Sequence, residues 1–469
     1  MKSTRTPLRV KSSSAASFSE LSIKLTEKLS KDEKKNGGIF FTPPSCVQSI
    51  LTLLRSTADA MGVGVSKTIR HIMEPSCGSG EFITALSKEY PDAMITGIEY
   101  NPVIYEEISK TFANRDKIVV RHADFLTTEV EGDDAVPVPD LIIGNPPYFV
   151  MKKEEVAKEY YPYFEGRPNI FALFIIKAAT ILREGGLLCF VLSSSFMNSS
   201  YYDKTRKFIV AHFAILHVVR CETLDSSVKY IDTVQDTIVL IIQKKPLTDG
   251  GGDGGDGGDG GDGGDGGDGG DGGVYEKYGM TIFTDNIPRL VRLYKGSRSL
   301  YELDFNVHVG TVVWNQCKDI LTSDASKTRL IYSSNIASGK FVHKTYKNAE
   351  KKAFIDKAGI QTPMIVLNRG YGVGEYHFDY CFISPEIVGS AAFLVENHLI
   401  CITSRRVTES LSSSLDRFQA VIRSFQDPRT KEFIACYFGN NAVNTNELNH
   451  MLPIYDDVDG DGEDETHEI

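Results

Sequence analysis

Residues 70–99 read RHIMEPSCGSGEFITALSKEYPDAMITGIE, which gives the order strand, glycine-rich turn, helix, strand. The apolar runs at 70–73 and 94–98 have the length of buried strands, and 81–89 lies between them with helical spacing. A glycine-rich turn from strand to helix lets the backbone approach a ligand closely and aims helix N–H groups at it. This stretch therefore predicts an α/β fold that binds a ligand at one edge of its sheet.

The same alternation continues to residue 243. Further strands are predicted at 118–121, 140–144, 187–193, 215–220 and 237–243, and further helices at 18–35, 45–57, 102–114, 169–183 and 202–212. Strands separated by helices indicate a mostly parallel sheet with helices on both faces. The last two strands have no helix between them, so we expect them to pair antiparallel. The sequence predicts a Rossmann-like α/β domain with a seven-stranded sheet.

The net charge of −11 is distributed unevenly along the 469 residues. Residues 249–273 contain eight Asp, the tail 456–469 contains five Asp and three Glu, and neither segment contains Lys or Arg. Without these sixteen carboxylates the net charge is +5. The charge of the whole chain therefore does not exclude a nucleic acid as a partner. The hydrophobic fraction of 41% excludes disorder throughout.

Composition divides the chain into five segments. They are a basic N-terminal tail and helix at 1–36, an α/β domain at 37–247, a GGD-repeat linker or loop at 248–273, a second domain of mixed α/β pattern at 274–455, and an acidic tail at 456–469. The glycine repeat cannot bury a core and its backbone is costly to order, so we expect the repeat and the acidic tail to be disordered.

Cysteine usage and hydropathy indicate the compartment. The eight Cys are scattered without a CxxC pair, which is typical of a reduced, intracellular protein without a disulfide framework or zinc ribbon. The ten His show no ligand spacing, so no metal site is predicted. No apolar run reaches 18 residues, so no membrane span is expected.

Three successive predicted strands end in residues that suit a nucleoside-like ligand. The first is followed by EPSCGSG at 74–80, the second ends at Glu99, and the third is followed by Asp124 and Phe125. A carboxylate can accept hydrogen bonds from both hydroxyls of a ribose, and ligands of open α/β sheets bind where the strands end. A dinucleotide-binding turn is the rival, but GSGEF lacks the G-x-G-x-x-G spacing.

The fourth strand is followed by Asn145-Pro146-Pro147-Tyr148. Prolines restrict the backbone and remove donors, which leaves carbonyl oxygens able to accept. The Asn145 amide oxygen and the Pro146 carbonyl can each accept one N–H of a planar NH₂ group, and Tyr148 offers a flat face for stacking. Such bonds would withdraw the nitrogen lone pair from conjugation. The sequence therefore predicts chemistry on an amino nitrogen; a proline-rich turn with a surface Tyr is the plainer interpretation.

In this order, IFFTPP (39–44), EPSCGSGEF (74–82), GIE (97–99), ADF (123–125) and IIGNPPY (142–148) resemble the S-adenosylmethionine-dependent DNA adenine-N6 methyltransferases. The order resembles the γ group, which is TaqI-like and has a C-terminal target-recognition domain. The resemblance covers residues 38–245. It extends more faintly to 299–310, 333–342 and 448–454.

The resemblance implies roles for individual residues. The catalytic motif would be Asn145, Pro146 and Tyr148. The S-adenosylmethionine site would be formed by Thr42, Glu74, Pro75, Ser76, Gly78, Gly80, Glu99, Asp124, Phe125 and Phe174. One departure is that the family often has an aromatic after the sixth strand to stack on the target base, whereas Leu224 stands there. Phe149 is the alternative source of a second aromatic.

The resemblance also implies the partners. These are double-stranded DNA, from which the target adenine is flipped, and a separate cognate restriction endonuclease; a monomer is expected. Alternatives are methylation of a protein glutamine or of RNA on the same NPPY fold, and a DNA-binding protein with an inactive methyltransferase fold. Asn145, Tyr148, Glu99 and Asp124 are all present, which argues against inactivity.

Overall fold

A computed structural model describes residues 18–60, 69–130, 136–224, 236–246, 273–346, 348–369, 378–406, 411–438 and 443–455. The chain forms two compact units. The described residues of the first lie within Met1–Met197, Tyr201–Tyr275 and Thr281–Ile287. Those of the second lie within Asn198–Ser200, Glu276–Met280 and Pro288–Ile469. The acidic tail lies outside the described residues, and so does the GGD repeat except for its last residue, Gly273.

The first unit contains a seven-stranded sheet in the order β3-β2-β1-β4-β5-β7-β6. The strands are β1 His71–Glu74, β2 Met94–Glu99, β3 Ile118–His122, β4 Leu141–Gly144, β5 Leu187–Ser193, β6 Phe213–Arg220 and β7 Thr237–Lys244. Strands β1 to β5 pair in parallel, and β7 pairs antiparallel with both β5 and β6. The predicted seven-stranded, mostly parallel sheet is confirmed, and so is the antiparallel pairing of the last two strands.

Eight helices accompany this sheet in the described part of the unit. They are α1 Glu20–Lys28, α2 Lys31–Gly37, α3 Pro44–Ala60, α4 Glu81–Glu89, α5 Pro102–Phe112, α6 Ile170–Ile181, α7 Asp203–His212 and α8 Cys221–Leu224. The prediction of one continuous helix at 18–35 is wrong. Leu29 is extended, and Ser30 begins a new helix because its hydroxyl and the Glu33 carboxylate form a reciprocal capping box.

Both faces of the sheet are buried, as strand β5 shows. Leu188, Phe190 and Leu192 belong to one apolar cluster with helix α6. Leu187, Cys189 and Val191 alternate with them and belong to a second cluster with helices α3 and α4. Because successive strand side chains point to opposite faces, a strand covered on both sides reads as a continuous apolar run. Because both faces are packed, the carboxyl ends of the parallel strands are held in fixed positions at one edge of the sheet.

The second unit is a mixture of short strands and helices. One antiparallel sheet has the order β11-β20-β17-β18, and another has the order β12-β16-β13-β19, in which β13 and β19 are parallel. The strands from residue 273 onward are β8 Gly273–Lys277, β9 Met280–Thr284, β10 Ser297–Arg298, β11 Phe305–Val309, β12 Leu321–Thr322, β13 Thr328–Ile331, β14 Ile336–Ala337, β15 Lys340–Phe341, β16 Phe354–Ile355, β17 Met364–Asn368, β18 Tyr380–Ile383, β19 Phe393–Val395, β20 Leu399–Ser404 and β21 Ile454–Tyr455. The helices are α9 Ile287–Tyr294, α10 Pro385–Val388, α11 Leu411–Gln426, α12 Pro428–Tyr437 and α13 Thr445–His450.

No helix within the described ranges combines the length and the apolar character needed to cross a bilayer.

Candidate functional site

A cavity of about 400 Å³ opens at the carboxyl ends of the parallel strands in the first unit. Eight of the thirteen predicted site residues line it: Pro75, Ser76, Gly78, Glu99, Asp124, Phe125, Asn145 and Phe174. Parallel strands present their carboxyl ends at one edge, so residues distant in sequence meet there. The other five predicted residues, Thr42, Glu74, Gly80, Pro146 and Tyr148, do not line the cavity.

The glycine-rich turn after β1 requires glycine at two positions for different reasons. Gly78 has φ +49°, and it lines the cavity beside Phe41. Gly80 has φ +78°, and a Cβ there would lie 2.8 Å from the Phe112 ring of helix α5. Gly80 therefore permits the start of helix α4 and its close packing on α5. Its contribution to the cavity is indirect.

Glu99, at the end of β2, is 7% exposed and is held by two backbone donors. Its Oε2 accepts from the Gly78 N–H at 2.9 Å, and its Oε1 accepts from the Asn101 N–H at 2.8 Å. Burial raises the pKa of this carboxyl, and these N–H groups act in the opposite direction. A carboxylate has further lone pairs, so Glu99 can still accept from ligand hydroxyls at the cavity wall.

Glu74, at the end of β1, is 2% exposed and lies outside the cavity lining. Burial raises the pKa of its carboxyl well above the usual range. Its Oε2 has no hydrogen-bond partner within the described residues. A Cβ added at Gly144 would lie 3.3 Å from the Glu74 Cγ, so this side chain packs beside the residue that precedes Asn145.

Another part of the cavity wall combines a carboxylate with two aromatic rings. Asp124 caps a short 3₁₀ helix, since its Oδ1 accepts from the Leu126 N–H at 2.9 Å. The rings of Phe125 and Phe174 lie 4.8 Å apart between centroids, tilted by 45°. Both rings are buried and both line the cavity, so a flat heteroaromatic ring would meet aromatic carbon beside a carboxylate.

The side chain of Asn145 is oriented by three groups. Its Nδ2 donates to the Phe40 carbonyl oxygen and to Thr42 Oγ1, each at 3.1 Å. Its Oδ1 accepts from the Tyr148 hydroxyl at 2.5 Å. Ser76 of the glycine-rich turn donates to the Asn145 carbonyl oxygen at 3.1 Å. If the amide were rotated by 180°, Oδ1 and Nδ2 would exchange places and these hydrogen bonds would be lost. The hydrogen-bond network therefore determines which of the two atoms is the oxygen.

Tyr148 is anchored through its hydroxyl, which lies 2.8 Å from the Val191 carbonyl oxygen as well as close to Asn145. Burial raises the pKa of Tyr148 well above its usual value, so the hydroxyl keeps its proton to donate. The ring lies 6.2 Å from Phe40 and 5.9 Å edge-on from Phe171. Pro147 and Phe149, rather than Tyr148, line the cavity. The stacking role of Tyr148 stays a prediction.

The segment after helix α2 belongs to the site, and sequence reasoning missed part of it. No site role was predicted for Gly38, which follows helix α2. Its carbonyl oxygen accepts from the Tyr148 N–H at 3.3 Å, and a Cβ at Gly38, which has φ +59°, would lie 2.4 Å from the Tyr148 nitrogen. Ile39, Phe40 and Phe41 line the cavity. The two glycines directly before IFFTPP, at 37 and 38, were the feature of the sequence that could have indicated this close contact.

Helix α1 also supports the glycine-rich turn. Ser22 is fully buried, and its hydroxyl donates to Ser79 Oγ at 2.8 Å and lies 2.6 Å from Glu81 Oε1. No motif in the sequence marked this serine. The hydrogen bonds tie an N-terminal helix to the turn that shapes the cavity.

Leu224 ends helix α8 and packs against the apolar cluster that contains β5 residues Leu187, Cys189 and Val191. The predicted replacement of a stacking aromatic by Leu224 stays a prediction, because residues 225–235 lie outside the described part of the chain. Phe149, the alternative aromatic, lines the cavity.

Known proteins resemble this chain most clearly in its first half. Residues 15–225 match the family described as Eco57I restriction-modification methylase. Type II methyltransferase M.CvrRI of Paramecium bursaria Chlorella virus XZ-6E is 26% identical over 418 residues, which cover 89% of this chain and 93% of the viral protein. Modification methylase CviBIII of Paramecium bursaria Chlorella virus NC1A is 30% identical over 232 residues, 49% of this chain and 56% of that protein.

These similarities support a methyltransferase of a restriction-modification system. Together with the seven-stranded fold they imply S-adenosylmethionine as the cofactor. The residues present fit that group. The cavity has the size of a small-molecule site, and it joins a buried carboxylate at Glu99 to the aromatic pair Phe125 and Phe174.

Proposed function

We propose that this protein is a site-specific DNA methyltransferase that transfers a methyl group from S-adenosylmethionine to the N6 amino group of a flipped-out adenine in double-stranded DNA. The observation that carries the proposal is the fixed amide of Asn145, whose Nδ2 is bonded to Phe40 and Thr42 and whose Oδ1 must therefore act as an acceptor. An oriented acceptor beside a cofactor-sized cavity suits an NH₂ substrate.

The residues that would hold the cofactor are those of the cavity wall. Glu99 would accept from the ribose hydroxyls, Asp124 would accept from the adenine amino group, and Phe125 with Phe174 would pack on the adenine ring. Pro75, Ser76 and Gly78 would bring the backbone of the turn against the ligand. When bound, S-adenosylmethionine supplies an electrophilic methyl group on a positively charged sulfur.

Asn145 and Pro146 would orient the substrate nitrogen. An amide oxygen has two lone pairs, and the Tyr148 hydroxyl occupies one of them on Oδ1, so a second N–H can be accepted. Among the described residues, no hydrogen bond reaches the Pro146 carbonyl oxygen. Two acceptors on one NH₂ group would hold both protons and direct the nitrogen lone pair out of the ring plane. This contribution is alignment with preorganised acceptors.

The target base has to leave the duplex before Asn145 can reach it. Flipping costs a few kcal/mol, and stacking of a base on an aromatic ring returns roughly 1–3 kcal/mol. Tyr148 is the proposed stacking partner, and its anchored hydroxyl would keep the ring from turning away. Phe149, at the cavity wall, is the nearest aromatic in sequence that could support the other face.

We further propose that residues 37–247 form the catalytic domain and 274–455 the target-recognition domain. Support comes from the charge of the second segment, which is +4, and from the similarity to M.CvrRI over 89% of the chain. DNA binding is dominated by contacts of Lys and Arg with phosphates. A separate endonuclease of the same specificity would complete a restriction-modification pair, and a monomer would suffice for methylation.

Asn145→Ala tests the chemistry. The variant should lose methyl transfer by at least about 10²-fold, because an acceptor used in the transition state is gone, while S-adenosylmethionine binding stays within about twofold. The assay is transfer of labelled methyl groups to unmethylated DNA, followed by nucleoside analysis for N6-methyladenine, with cofactor binding measured by calorimetry. Asn114→Ala, in the exposed turn that follows helix α5, is the matched control and should behave as the wild type.

Normal turnover of Asn145→Ala would disprove the assigned role. Label found only in a protein or RNA fraction would replace the DNA substrate by one of the alternatives on the same fold.

A further inference from the structure

Arg329 in the second unit is a buried cation that forms no ion pair within the part of the chain that the structure describes. It lies on strand β13 and is 8% exposed. Within the described residues its guanidinium takes part in no ion pair and no hydrogen bond, and Nε is fully enclosed without a partner. The terminal Nη atoms lack partners too but are not enclosed, so the small exposed fraction of the side chain belongs to its donor end.

Two aromatic rings pack close to this guanidinium. Its Cζ lies 5.0 Å from the Phe354 ring centroid and 5.7 Å from that of Phe341. Burial lowers the pKa of Arg329, and Tyr346 acts in the opposite direction; an arginine nevertheless remains charged at neutral pH. The rings offer the guanidinium no hydrogen-bond acceptor in its plane, so its terminal N–H groups remain available. The planar fork of an arginine can bind two oxygens at once.

The segments of the chain that carry Phe341 and Phe354 also carry lysines. Lys340 and Lys344 are exposed on the chain that follows strand β14. Lys351 lies 4.9 Å from the Trp314 ring centroid and 4.7 Å from that of Tyr332. The nearby carboxylate of Glu350 is paired with Lys318 at 2.8 Å. This local excess of cations therefore favours an anionic ligand.

We propose that the terminal amino groups of Arg329 bind a phosphodiester group of duplex DNA. The inference deepens the proposed function and rests on it, since DNA is the substrate there. An unpaired buried cation is costly, and a phosphate would supply both the missing charge and a pair of oxygens. The edge of a guanine offers two acceptors but no negative charge, so it would leave the cation uncompensated.

Three full-length variants test this contact: Arg329→Met, Arg329→Lys and, as the matched control, Lys327→Met. Lys327 lies two residues away, its side chain is 41% exposed, and it is already paired with Asp356 at 2.7 Å. The measurements are the dissociation constant for a duplex that the wild type methylates, at several salt concentrations, and the melting temperature of each protein.

Arg329→Met should weaken DNA binding at least about tenfold at low salt and reduce the log–log salt slope by about 0.9, the value of one lost phosphate contact. Its melting temperature should be equal to or above that of the wild type, because an apolar side chain removes an uncompensated charge. Arg329→Lys should weaken binding less, since it keeps the charge without the planar pair of donors. Lys327→Met should change the DNA affinity and the salt slope much less than Arg329→Met does.

An unchanged affinity and salt slope in Arg329→Met would overturn the contact. A relaxed sequence preference at an unchanged salt slope would also overturn it, because that result would indicate that Arg329 contacts a guanine. A lower melting temperature with normal DNA binding would overturn it as well, because that result would indicate a structural role. Should Arg329→Met fail to fold, the affinity and slope of Arg329→Lys decide. Methylation of DNA by the wild type is scored separately, so failure of the contact leaves the proposed function standing.

Discussion

The side-chain nitrogen of Asn145 lies 3.1 Å from Oγ1 of Thr42, although 103 residues separate them in the chain. Thr42 is 4% exposed and does not line the cavity. The resemblance to a known family implies that Thr42 binds the cofactor, whereas this contact favours a role in positioning the proposed catalytic amide. The two roles predict different kinetic defects.

Thr42→Val removes the hydroxyl acceptor and keeps the shape of the side chain. Asn145 would retain only the Phe40 carbonyl for its Nδ2, and the loss of one hydrogen bond is worth about 1 kcal/mol. We expect kcat to fall about fivefold while the affinity for S-adenosylmethionine is unchanged, as measured by steady-state methylation and calorimetry. Thr52→Val on the exposed face of helix α3 is the control. A loss of cofactor affinity at normal kcat would instead support the cofactor role.

Gly38→Ala tests the contact between the N-terminal segment and the catalytic motif. Gly38 has φ +59°, and an added Cβ would lie 2.4 Å from the Tyr148 nitrogen, which is backbone and cannot rotate away. Gly166→Ala is the matched control, because Gly166 has φ +65° and a Cβ added there would have no described atom within 4 Å. In both variants the left-handed backbone should lower the free energy of unfolding by about 1 kcal/mol. Only Gly38→Ala should also show a Tm that is several degrees lower and lose most of its methylation activity. Equal melting temperatures for the two variants would refute the close approach.

Glu74→Gln tests the buried carboxyl beside the catalytic segment. Burial raises the pKa of Glu74 well above 4.5, so the folded state holds a proton that the unfolded chain releases, and stability falls as pH rises from 4.5 through the raised pKa. The neutral amide avoids this loss. We expect the variant to melt at a higher temperature than the wild type at pH 8, with the difference shrinking toward pH 5. Exposed Glu154→Gln should show no such trend; a variant less stable than the wild type at pH 8 would contradict the prediction.

Most of the sheet could be predicted from local pattern. Strand β5 was predicted residue for residue at 187–193, because burial on both faces makes it a continuous apolar run. Helix α4 was likewise predicted at 81–89, between two glycine-rich and turn-forming stretches. The helix predicted at 18–35 failed at Leu29, since apolar spacing does not register the capping box that Ser30 and Glu33 form.

The site was only partly predictable. Strand order places Glu99, Asp124 and Asn145 at one edge of the sheet, and eight predicted residues share the cavity. Local pattern says nothing about which of the carboxylates, Glu74 or Glu99, reaches the cavity, because that depends on how the turn folds back. It also could not identify Ser22, whose partners lie 57 and 59 residues away.

The amino-acid sequence alone determines the alternation of strands and helices, the chemistry at each strand end, and the separation of acidic segments from a basic remainder. These features depend on residue type and local spacing. Only the tertiary structure decides that Gly38 and Thr42 contact Tyr148 and Asn145, and that Arg329 is buried with no ion pair to any described residue. Hydrogen bonds and desolvation depend on which distant segments meet, and that is set by the packing of the whole core.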